Sequence, residues 1–404
     1  MKVVVQKYGG SSVADATKLR RVAERIVRTR ELGYDVVVVV SAMGNTTNEL
    51  LRKAHEVTPN PPSRELDMLL SVGERISMAL LSMAIQALGH QAISFTGSQV
   101  GIITTASHAN ARIVEVRPFR IQDELEQGRI VIVAGYQGTS YKREITTLGR
   151  GGSDTTAVAL AAALDAEYCE ICSDVDGVLS ADPRVVPDAV RIDEMTHEEM
   201  LELARAGAKV LNTQAVEYAR RHGIALYARS TFGGPEARGT VVRRDVPLPP
   251  RPVTAIAGRT DLLLLRLEGA DPAELQRQYR AVLAALADME LTADRTWLHA
   301  EDRAAATLVF STENLHAIEA FRRRMAAVIG RGSALVDGIG AVTAVGPQVG
   351  ALPDLPGRAL DALGDLTTHL LGMDLAATSL TLLLPSEHTG EAVRRLHAAL
   401  IPST

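Results

Sequence analysis

The chain has 404 residues, 46% of them apolar and 23% charged, a composition typical of a globular protein with about two or three domains. Its net charge of −5 gives no general reason to bind nucleic acid or an anionic membrane surface. No apolar run reaches the length of a membrane span, and the first residues lack a secretory signal pattern. We therefore expect a cytoplasmic protein that binds neither nucleic acid nor membrane.

Strand and helix patterns alternate through the first part of the chain, to about residue 245. Five consecutive valines at 36–40 indicate a strand buried on both faces of a parallel sheet. Further strands are predicted at 3–5, 92–95 and 130–134, and helices at 15–32, 64–88, 157–164 and 200–205. This alternation predicts an α/β domain of three layers with a mainly parallel central sheet.

A proline-rich segment at 246–252 marks a boundary, because it suits neither a helix nor an inner strand. Beyond it, two rounds of strand–helix–strand–strand–helix follow. The first round has strands at 262–267, 296–300 and 306–310 and helices at 273–287 and 315–328. The second has strands at 341–345, 366–371 and 379–384 and helices at 357–363 and 390–400. The sequence thus predicts a domain at 1–245, a linker at 246–252 and two small α+β modules at 253–404, related by duplication.

The run LGRGGSDTT at 148–156 carries the strongest chemical signal. Its glycines let the backbone approach a ligand closely, and the free N–H groups that open the following helix favour an anion. Arg150, Ser153 and Asp154 add a guanidinium, a hydroxyl and a carboxylate to the same turn. The run therefore predicts a phosphate-binding turn that keeps an acidic group for a metal or an amine.

Lys7 ends the first predicted strand and is followed by Tyr8, Gly9 and Gly10. A strand–glycine–helix turn with a lysine offers N–H donors and one mobile cation to phosphate oxygens. The pattern differs from a Walker A loop, in which the lysine follows the glycines. Taken alone, it is equally explained by a surface lysine beside a tight turn.

Asp174 and Asp176 come directly after another predicted strand. Two carboxylates in this position suit Mg²⁺, which prefers oxygen ligands and nucleotide phosphates. They are also explained as turn formers, because Asp-Gly is a favoured turn pair. Arg184 and Lys209 are further cations that would meet a nucleotide, or ordinary surface charges if each is taken alone.

Cys169 and Cys172 have a spacing that recurs in redox and zinc sites. They fall in a predicted strand, where residues three apart point to opposite faces, and no second pair completes a zinc site. We expect two reduced thiols in the core. His197 and Glu198 begin like a zinc-protease helix, but a capping box at 196–199 explains them. We assign no side chain as a metal ligand.

Taken in order, these segments resemble one family, the aspartate kinases of the amino-acid kinase superfamily. The resemblance rests on VQKYGGSS (5–12), VSAMG (40–44), SVGER (71–75), SFTGSQ (94–99), GRGGSDTT (149–156), SDVDG (173–177), ADPR (181–184) and GAKVL (207–211). It is nearly continuous to about residue 240, whereas the C-terminal third resembles the family's paired ACT modules only in outline. The implied fold is a three-layer amino-acid-kinase-like domain followed by two degenerate ACT-like modules.

The resemblance implies that ATP, with Mg²⁺, phosphorylates the β-carboxylate of L-aspartate to give 4-phospho-L-aspartate. A carboxylate nucleophile is already ionised at neutral pH, since its reference pKa is about 3.9. Transfer then depends on alignment and on neutralising the charge of two anions. Lys7 would neutralise the transferring group with the amides of Gly9 and Gly10, and Asp154 would organise the charges around it.

By the same resemblance, Arg150 would clamp a substrate carboxylate, and Glu74 would hold the substrate ammonium. The implied acceptor-binding residues are Thr47, Glu74, Arg150, Gly151, Gly152 and Ser153. The implied nucleotide-binding residues are Lys7, Tyr8, Gly9, Gly10, Ser41, Ser173, Asp174, Ser180, Asp182, Pro183, Arg184 and Lys209.

Several positions depart from the commonest family forms. Tyr136 stands where phenylalanine is usual, and Asn45 and Asn48 stand where close relatives carry aspartates. These changes leave open another amino acid as the acceptor. The segments 267–273 and 293–298 lack the family's effector-binding pattern. We therefore expect weak or no inhibition by lysine plus threonine, and a homodimer formed through the C-terminal modules. A non-catalytic amino-acid sensor is disfavoured, because the charged site residues are all present.

Overall fold

A computed structural model describes residues 2–149, 151–233, 238–247, 252–289, 291–299, 304–312, 315 and 318–401. The chain forms two compact units, one of residues 1–179 and 190–249 and the other of residues 180–189 and 250–404. The division near residue 249 falls in the proline-rich segment. Residues 180–189 depart from the predicted division, because they belong to the second unit.

The first unit alternates strands and helices. Its elements in chain order are β1 (Val3–Tyr8), α1 (Ala16–Glu31), β2 (Asp35–Val40), α2 (Thr46–Val57), α3 (Ser63–Leu70), α4 (Val72–Ala87), β3 (Ala92–Phe95), β4 (Ile102–Thr104), β5 (Ile113–Val116), α5 (Phe119–Glu126), β6 (Ile130–Ala134), β7 (Gln137–Ser140), β8 (Ile145–Thr147), α6 (Gly152–Ala163), β9 (Tyr168–Ser173), β10 (Glu194–Thr196), α7 (His197–Arg205), α8 (Thr213–His222), β11 (Leu226–Ser230) and β12 (Thr240–Arg243).

A sheet of eight strands in the order β10-β12-β11-β9-β1-β2-β6-β3 forms the centre of this unit. The strands from β11 to β3 are mutually parallel, and β12 runs antiparallel to β11. Val36 to Val40 are fully buried because helices cover both faces of a parallel sheet. The predicted three-layer fold with a mainly parallel central sheet is confirmed.

The predicted helix at 64–88 is divided at Ser71 into α3 and α4. The side-chain amide of Gln137 donates to the carbonyl of Ser71 at 2.9 Å, so this carbonyl also bonds outside the helix. The stretch Ser63–Ala87 is long and apolar enough for a membrane span by length and composition, contrary to the sequence expectation. Core helices meet the same criterion. This stretch packs on α1, β3 and β6 and buries the carboxylates of Asp67 and Glu74.

A second, small sheet in the order β5-β4-β7-β8 was not predicted. Its strands have only three or four residues each, too few for an alternating pattern to emerge from the sequence. Strand β8 ends at Thr147, directly before the glycine-rich turn. The small sheet therefore sets the position at which that turn begins.

The second unit contains β13 (Ala255–Gly269), α9 (Pro272–Asp288), β14 (Arg295–His299), β15 (Ala304–Ser311), α10 (Ile318–Val328), β16 (Ala334–Val345), α11 (Leu355–Leu363), β17 (Gly372–Leu375), β18 (Ser379–Pro385) and α12 (Thr389–Leu400). Its strands form one sheet in the order β14-β15-β13-β16-β18-β17, in which all neighbours are antiparallel. Helices α9 and α10 cover one core, and α11 and α12 cover another. Two α+β rounds thus share one sheet.

The predicted strand at 366–371 is wrong. Residues Gly364–His369 form a 3₁₀ helix, and the strand follows at Gly372–Leu375. Gly364 has a positive φ of 58° with ψ of −122°, a backbone conformation that favours glycine. The hydroxyl of Thr367 then donates to the Gly364 carbonyl at 2.6 Å, and this local bond competes with strand pairing.

The segment 180–189 is held in the second unit by apolar and polar contacts. Ala181 and Val186 are buried in the same core as α11 and α12. The carbonyl of Ser180 accepts the Ile256 amide at 2.7 Å, and its hydroxyl lies 2.9 Å from Nε2 of His397. The sequence here has two prolines, three charges and only two valines, a pattern that does not predict this packing.

Candidate active site

Four neighbouring parallel strands of the first unit end at the same edge of the central sheet. Tyr8, the last residue of β1, is level with Val40 of β2 on one side and Cys172 of β9 on the other. Val40 is in turn level with Ala134, the last residue of β6. Parallel sheets bind ligands beyond the carboxyl ends of their strands, so this edge is the expected location of a site.

A cavity of about 310 Å³ lies at this edge, a volume within the range of small-ligand sites. It is lined by Lys7, Ser41, Thr47, Glu74, Tyr136, Gly149, Gly151, Gly152, Ser153 and Asp154. Most of these residues were selected from the sequence, although they come from distant parts of the chain. Arg150 lies outside the described residues.

Lys7 and Asp154 meet across the cavity. Nζ of Lys7 lies 2.6 Å from Oδ1 of Asp154, and the two side chains are only 12% and 13% exposed. Asp154 belongs to the first turn of α6, where the helix dipole favours a negative charge. The pair therefore holds the lysine cation at the point where a strand end and a helix start converge.

Glu74 places a second carboxylate in the cavity wall, from the first turn of α4. Its Oε1 accepts the Ala42 amide at 3.1 Å. Its Oε2 is buried and has no hydrogen-bond partner among the residues that the structure describes. Burial raises the pKa of Glu74 to about 7. A cationic ligand would satisfy this oxygen and favour its ionised form.

The glycine-rich turn requires glycine because of both conformation and space. Gly149 and Gly151 have φ of 76° and 71°, which L side chains rarely adopt. A Cβ on Gly151 would lie 2.1 Å from Nδ2 of Asn212, the residue that caps α8. Asn212 was not predicted as a site residue, since its sequence signal is that of a helix cap alone.

Tyr136 lines the cavity although the sequence marked it only as an unusual substitution. Its φ is 67°, an uncommon conformation for an aromatic residue. The Tyr136 amide donates to the hydroxyl oxygen of Thr156 at 3.2 Å, and its carbonyl accepts the Leu148 amide at 2.9 Å. Burial raises the pKa of Tyr136, so the phenol is neutral at physiological pH.

Two predicted nucleotide-binding residues have other partners: Tyr8 at the end of β1 and Gly9 directly after it. The Tyr8 side chain is fully buried in the core on the α1 side, because neighbouring residues of a strand face opposite ways. Its hydroxyl donates to Gln6 at 3.3 Å, so the side chain does not reach the cavity. The Gly9 amide donates to the Cys172 carbonyl at 3.3 Å, so it already has a backbone partner.

The remaining predicted nucleotide contacts do not line the cavity. Gly10, Ser173, Asp174 and Lys209 belong to the first unit, whereas Ser180, Asp182, Pro183 and Arg184 belong to the second. Asp182 and Arg184 form a pair at 2.6 Å, and its hydrogen bonds hold the pKa of Asp182 below its usual range. Within this segment, the Arg184 guanidinium is therefore paired with the Asp182 carboxylate.

The cysteines and His197 have structural roles, as predicted. Cys169 and Cys172 are free and buried, and burial raises the pKa of both thiols. Thr196 and Glu199 form the predicted capping box of α7. Among the described residues, no group of three or more His, Cys, Asp and Glu side chains could hold a metal ion.

Comparison with known proteins agrees with this geometry. Residues 2–230 match the amino acid kinase family. The chain is 45% identical over 410 residues to an aspartokinase of Mycolicibacterium smegmatis, covering 99% of this chain and 96% of that protein. It is 43% identical to an aspartokinase of Corynebacterium glutamicum, with coverage of 98% and 96%. The chain belongs to the aspartokinase family.

Solved structures of aspartokinases have the same fold. Escherichia coli aspartokinase III in complex with aspartate and ADP has a TM-score of 0.85 at 25% identity, covering 99% of this chain and 100% of that one. The aspartate kinase of Clostridium acetobutylicum has a TM-score of 0.77 at 20% identity, with coverage of 98% and 100%. The predicted family, fold class and enzyme class, an aspartate kinase, are confirmed.

Proposed function

We propose that the chain acts in the cytoplasm and transfers the γ-phosphoryl group of ATP to the β-carboxylate of L-aspartate. The observation that carries this proposal is the pairing of two features in one cavity. One is the Lys7–Asp154 ion pair at 2.6 Å, and the other is the buried, unpartnered Oε2 of Glu74. The first suits a transferring phosphoryl group, and the second suits the ammonium of an amino acid.

Phosphoryl transfer to a carboxylate mainly requires that the two substrates are aligned and that their negative charges are neutralised. The acceptor carboxylate is ionised at neutral pH, so no general base is required. The barrier arises because two anions must approach each other, and a preorganised cation lowers it. Asp154 holds Nζ of Lys7 in place before the substrates arrive, so the cation needs no reorganisation during transfer.

Acceptor recognition would use other residues that line the same cavity. Glu74 would bind the ammonium through its unpartnered oxygen, while Thr47 and Ser153 would donate or accept through their hydroxyls. The family resemblance assigns the clamping of a substrate carboxylate to Arg150. A planar guanidinium suits that task because it binds a carboxylate through two parallel hydrogen bonds.

Nucleotide binding is proposed for the residues of the first unit that the resemblance selects, which are Lys7, Gly10, Ser41, Ser173, Asp174 and Lys209. We expect Mg²⁺ to arrive with the nucleotide; among the described residues, no group of three or more His, Cys, Asp and Glu side chains could hold it. Mg²⁺ commonly binds through phosphates, waters and one or two carboxylates. When bound, it would neutralise phosphate charge.

A second acceptor remains a candidate because of Tyr136. Its ring lines the cavity from a left-handed backbone position, at the place where the family usually has phenylalanine. Its hydroxyl, which phenylalanine lacks, hydrogen-bonds with Thr147, and this added polar group would alter the preference among amino acids. The change would affect the acceptor and not the transfer itself.

The direct test is an ADP-release assay with purified full-length chain, MgATP and a panel of amino acids. We expect turnover with L-aspartate to exceed that with every other amino acid. Faster turnover with another acceptor would replace the proposal by the second candidate. ATP binding without turnover on any acceptor would instead support a non-catalytic sensor.

We further propose that the second unit mediates a homodimer and confers weak or no inhibition by lysine plus threonine. The segments 267–273 and 293–298 lack the family's effector pattern, which supports the loss of inhibition. The same ADP-release assay with both amino acids added tests it. Strong inhibition at low millimolar concentrations would contradict the proposal.

A further inference from the structure

Asp67 is a fully buried carboxylate on α3 that the proposed mechanism does not use. Its Oδ1 accepts the Thr147 hydroxyl at 2.5 Å and the Ala109 amide at 3.0 Å. Its Oδ2 lies 2.6 Å from Nδ1 of His108. One side chain therefore joins α3, the end of β8 and the loop before β5.

The partners of Asp67 lead directly to the glycine-rich turn. Thr147 ends β8, two positions before Gly149, and its carbonyl accepts the Ala111 amide at 2.9 Å. Oδ1 of Asn110 lies 3.0 Å from the position that a Cβ on Gly149 would occupy. The loop at 108–111 thus packs against the turn that lines the cavity, and Asp67 fixes both.

The loop is held in a strained conformation at the residue that Asp67 contacts. Ala109 has φ of 64°, in the left-handed region that residues other than glycine rarely adopt. Such a conformation persists only where surrounding contacts determine it, and it is common at ligand sites. The hydrogen bond from the Ala109 amide to Asp67 supplies one such contact.

We propose that Asp67 is a positioning residue for phosphoryl transfer. Through Thr147 and Ala109 it sets the position of Gly149, which lines the cavity, relative to Lys7 and Asp154, and so the pose of the acceptor. An ionised carboxylate accepts from all of its partners at once. An amide in its place would turn a donor toward one of them and release that contact. This inference rests on the proposed function.

The variant Asp67→Asn tests the proposal, with KM and kcat measured for both substrates. A small misplacement of reacting groups can cost on the order of a hundredfold in rate. We expect kcat to fall more than about tenfold and KM for L-aspartate to rise, while KM for MgATP changes less than about twofold. Equal losses for both substrates, in proportion to a loss of folded protein, would show a merely structural role.

Thr147 provides a second test that does not depend on the folding of the Asp67 variant. Thr147→Val keeps the shape but removes the hydroxyl, whereas Thr147→Ser keeps the hydroxyl. We expect the valine variant to reproduce the kinetic change and the serine variant to retain activity close to that of the wild type. Wild-type kinetics in the valine variant would overturn the proposal.

Glu199→Gln is the matched control. Glu199 is another buried carboxylate of the first unit, 2% exposed, and its Oε2 accepts the Thr196 amide at 2.9 Å in the α7 capping box. We expect this variant to lose thermal stability with unchanged kcat and KM. If the wild type does not turn over L-aspartate, the proposed function fails and this inference fails with it. Normal kinetics of Asp67→Asn beside an active wild type would reject this inference alone.

Discussion

At the scale of one residue, the proposed role of Glu74 makes acceptor binding depend on pH. Its pKa is raised to about 7 by burial, so half of the free protein carries it in the neutral form at that pH. An ammonium group binds the ionised form. We therefore expect kcat/KM for L-aspartate to rise about tenfold per pH unit below 7 and to level off above it. Glu74→Gln should remove this rise, and a pH profile of the variant that retains it would assign the titration to another group.

The raised pKa of Glu74 also makes the free energy of unfolding depend on pH. The folded pKa of Glu74 lies above its ordinary value of 4.5, so the folded state binds the proton more tightly than the unfolded chain. The stabilisation is complete below pH 4.5 and is lost as the pH rises through 7. The loss amounts to about 3 kcal/mol. Urea unfolding between pH 5 and 8 should show Glu74→Gln gaining stability over the wild type as pH rises, and a constant difference would contradict this.

Lys7 is the residue whose removal should affect the rate most directly. Lys7→Ala removes the cation that Asp154 holds at 2.6 Å, and loss of one charge-stabilising group lowers kcat on the order of a hundredfold or more. Lys2→Ala is the control, since Lys2 lies just before the same strand with a side chain 71% exposed. An unchanged kcat in Lys7→Ala, measured by ADP release, would remove Lys7 from the mechanism.

At the scale of an element, the turn around Gly151 needs glycine for two reasons, its backbone conformation and the lack of space for a side chain. Substitutions can separate these two reasons. Gly151 and Gly223 have nearly equal φ of 71° and 69°, but a Cβ would meet Asn212 at 2.1 Å in the first case and nothing within 4 Å in the second. We expect Gly223→Ala to lose about 1 kcal/mol of unfolding free energy and to retain full activity. Gly151→Ala should lose more stability and at least tenfold in kcat. Equal effects in urea unfolding and turnover would show that the contact with Asn212 is unimportant.

The elements also show what the sequence can and cannot predict. The valine run of β2 and the glycine-rich turn before α6 have signals that depend on neighbours in the chain, and both were identified. Asp67 and Asn212 make their contacts with segments that are distant in the chain. From the sequence alone, Asp67 resembles a surface charge and Asn212 resembles a helix cap. Segment 180–189 was missed for the same reason, because its packing on α12 depends on residues more than two hundred positions away.

At the scale of the whole molecule, the second unit exposes apolar side chains on an edge strand of its sheet, which favours self-association. Strand β17 is an edge of its sheet, and Met373 and Leu375 on one face of it are 42% and 44% exposed. Soluble proteins usually protect such edges with charges or cover them with another chain. The lone acidic residue between them, Asp374, is paired with Arg295. The exposed apolar side chains on this edge strand support the proposed homodimer.

A single charge on this edge should therefore disrupt the dimer. We expect Met373→Lys to shift the mass measured by light scattering from dimer toward monomer, because burying an unpaired ammonium in an interface is strongly unfavourable. Leu32→Lys is the control, since Leu32 is 77% exposed at the end of α1 and should leave the mass unchanged. A dimer that survives Met373→Lys would place the interface away from β17. A wild-type monomer at micromolar concentration would instead reject the homodimer itself, while leaving the transfer chemistry of the first unit in place.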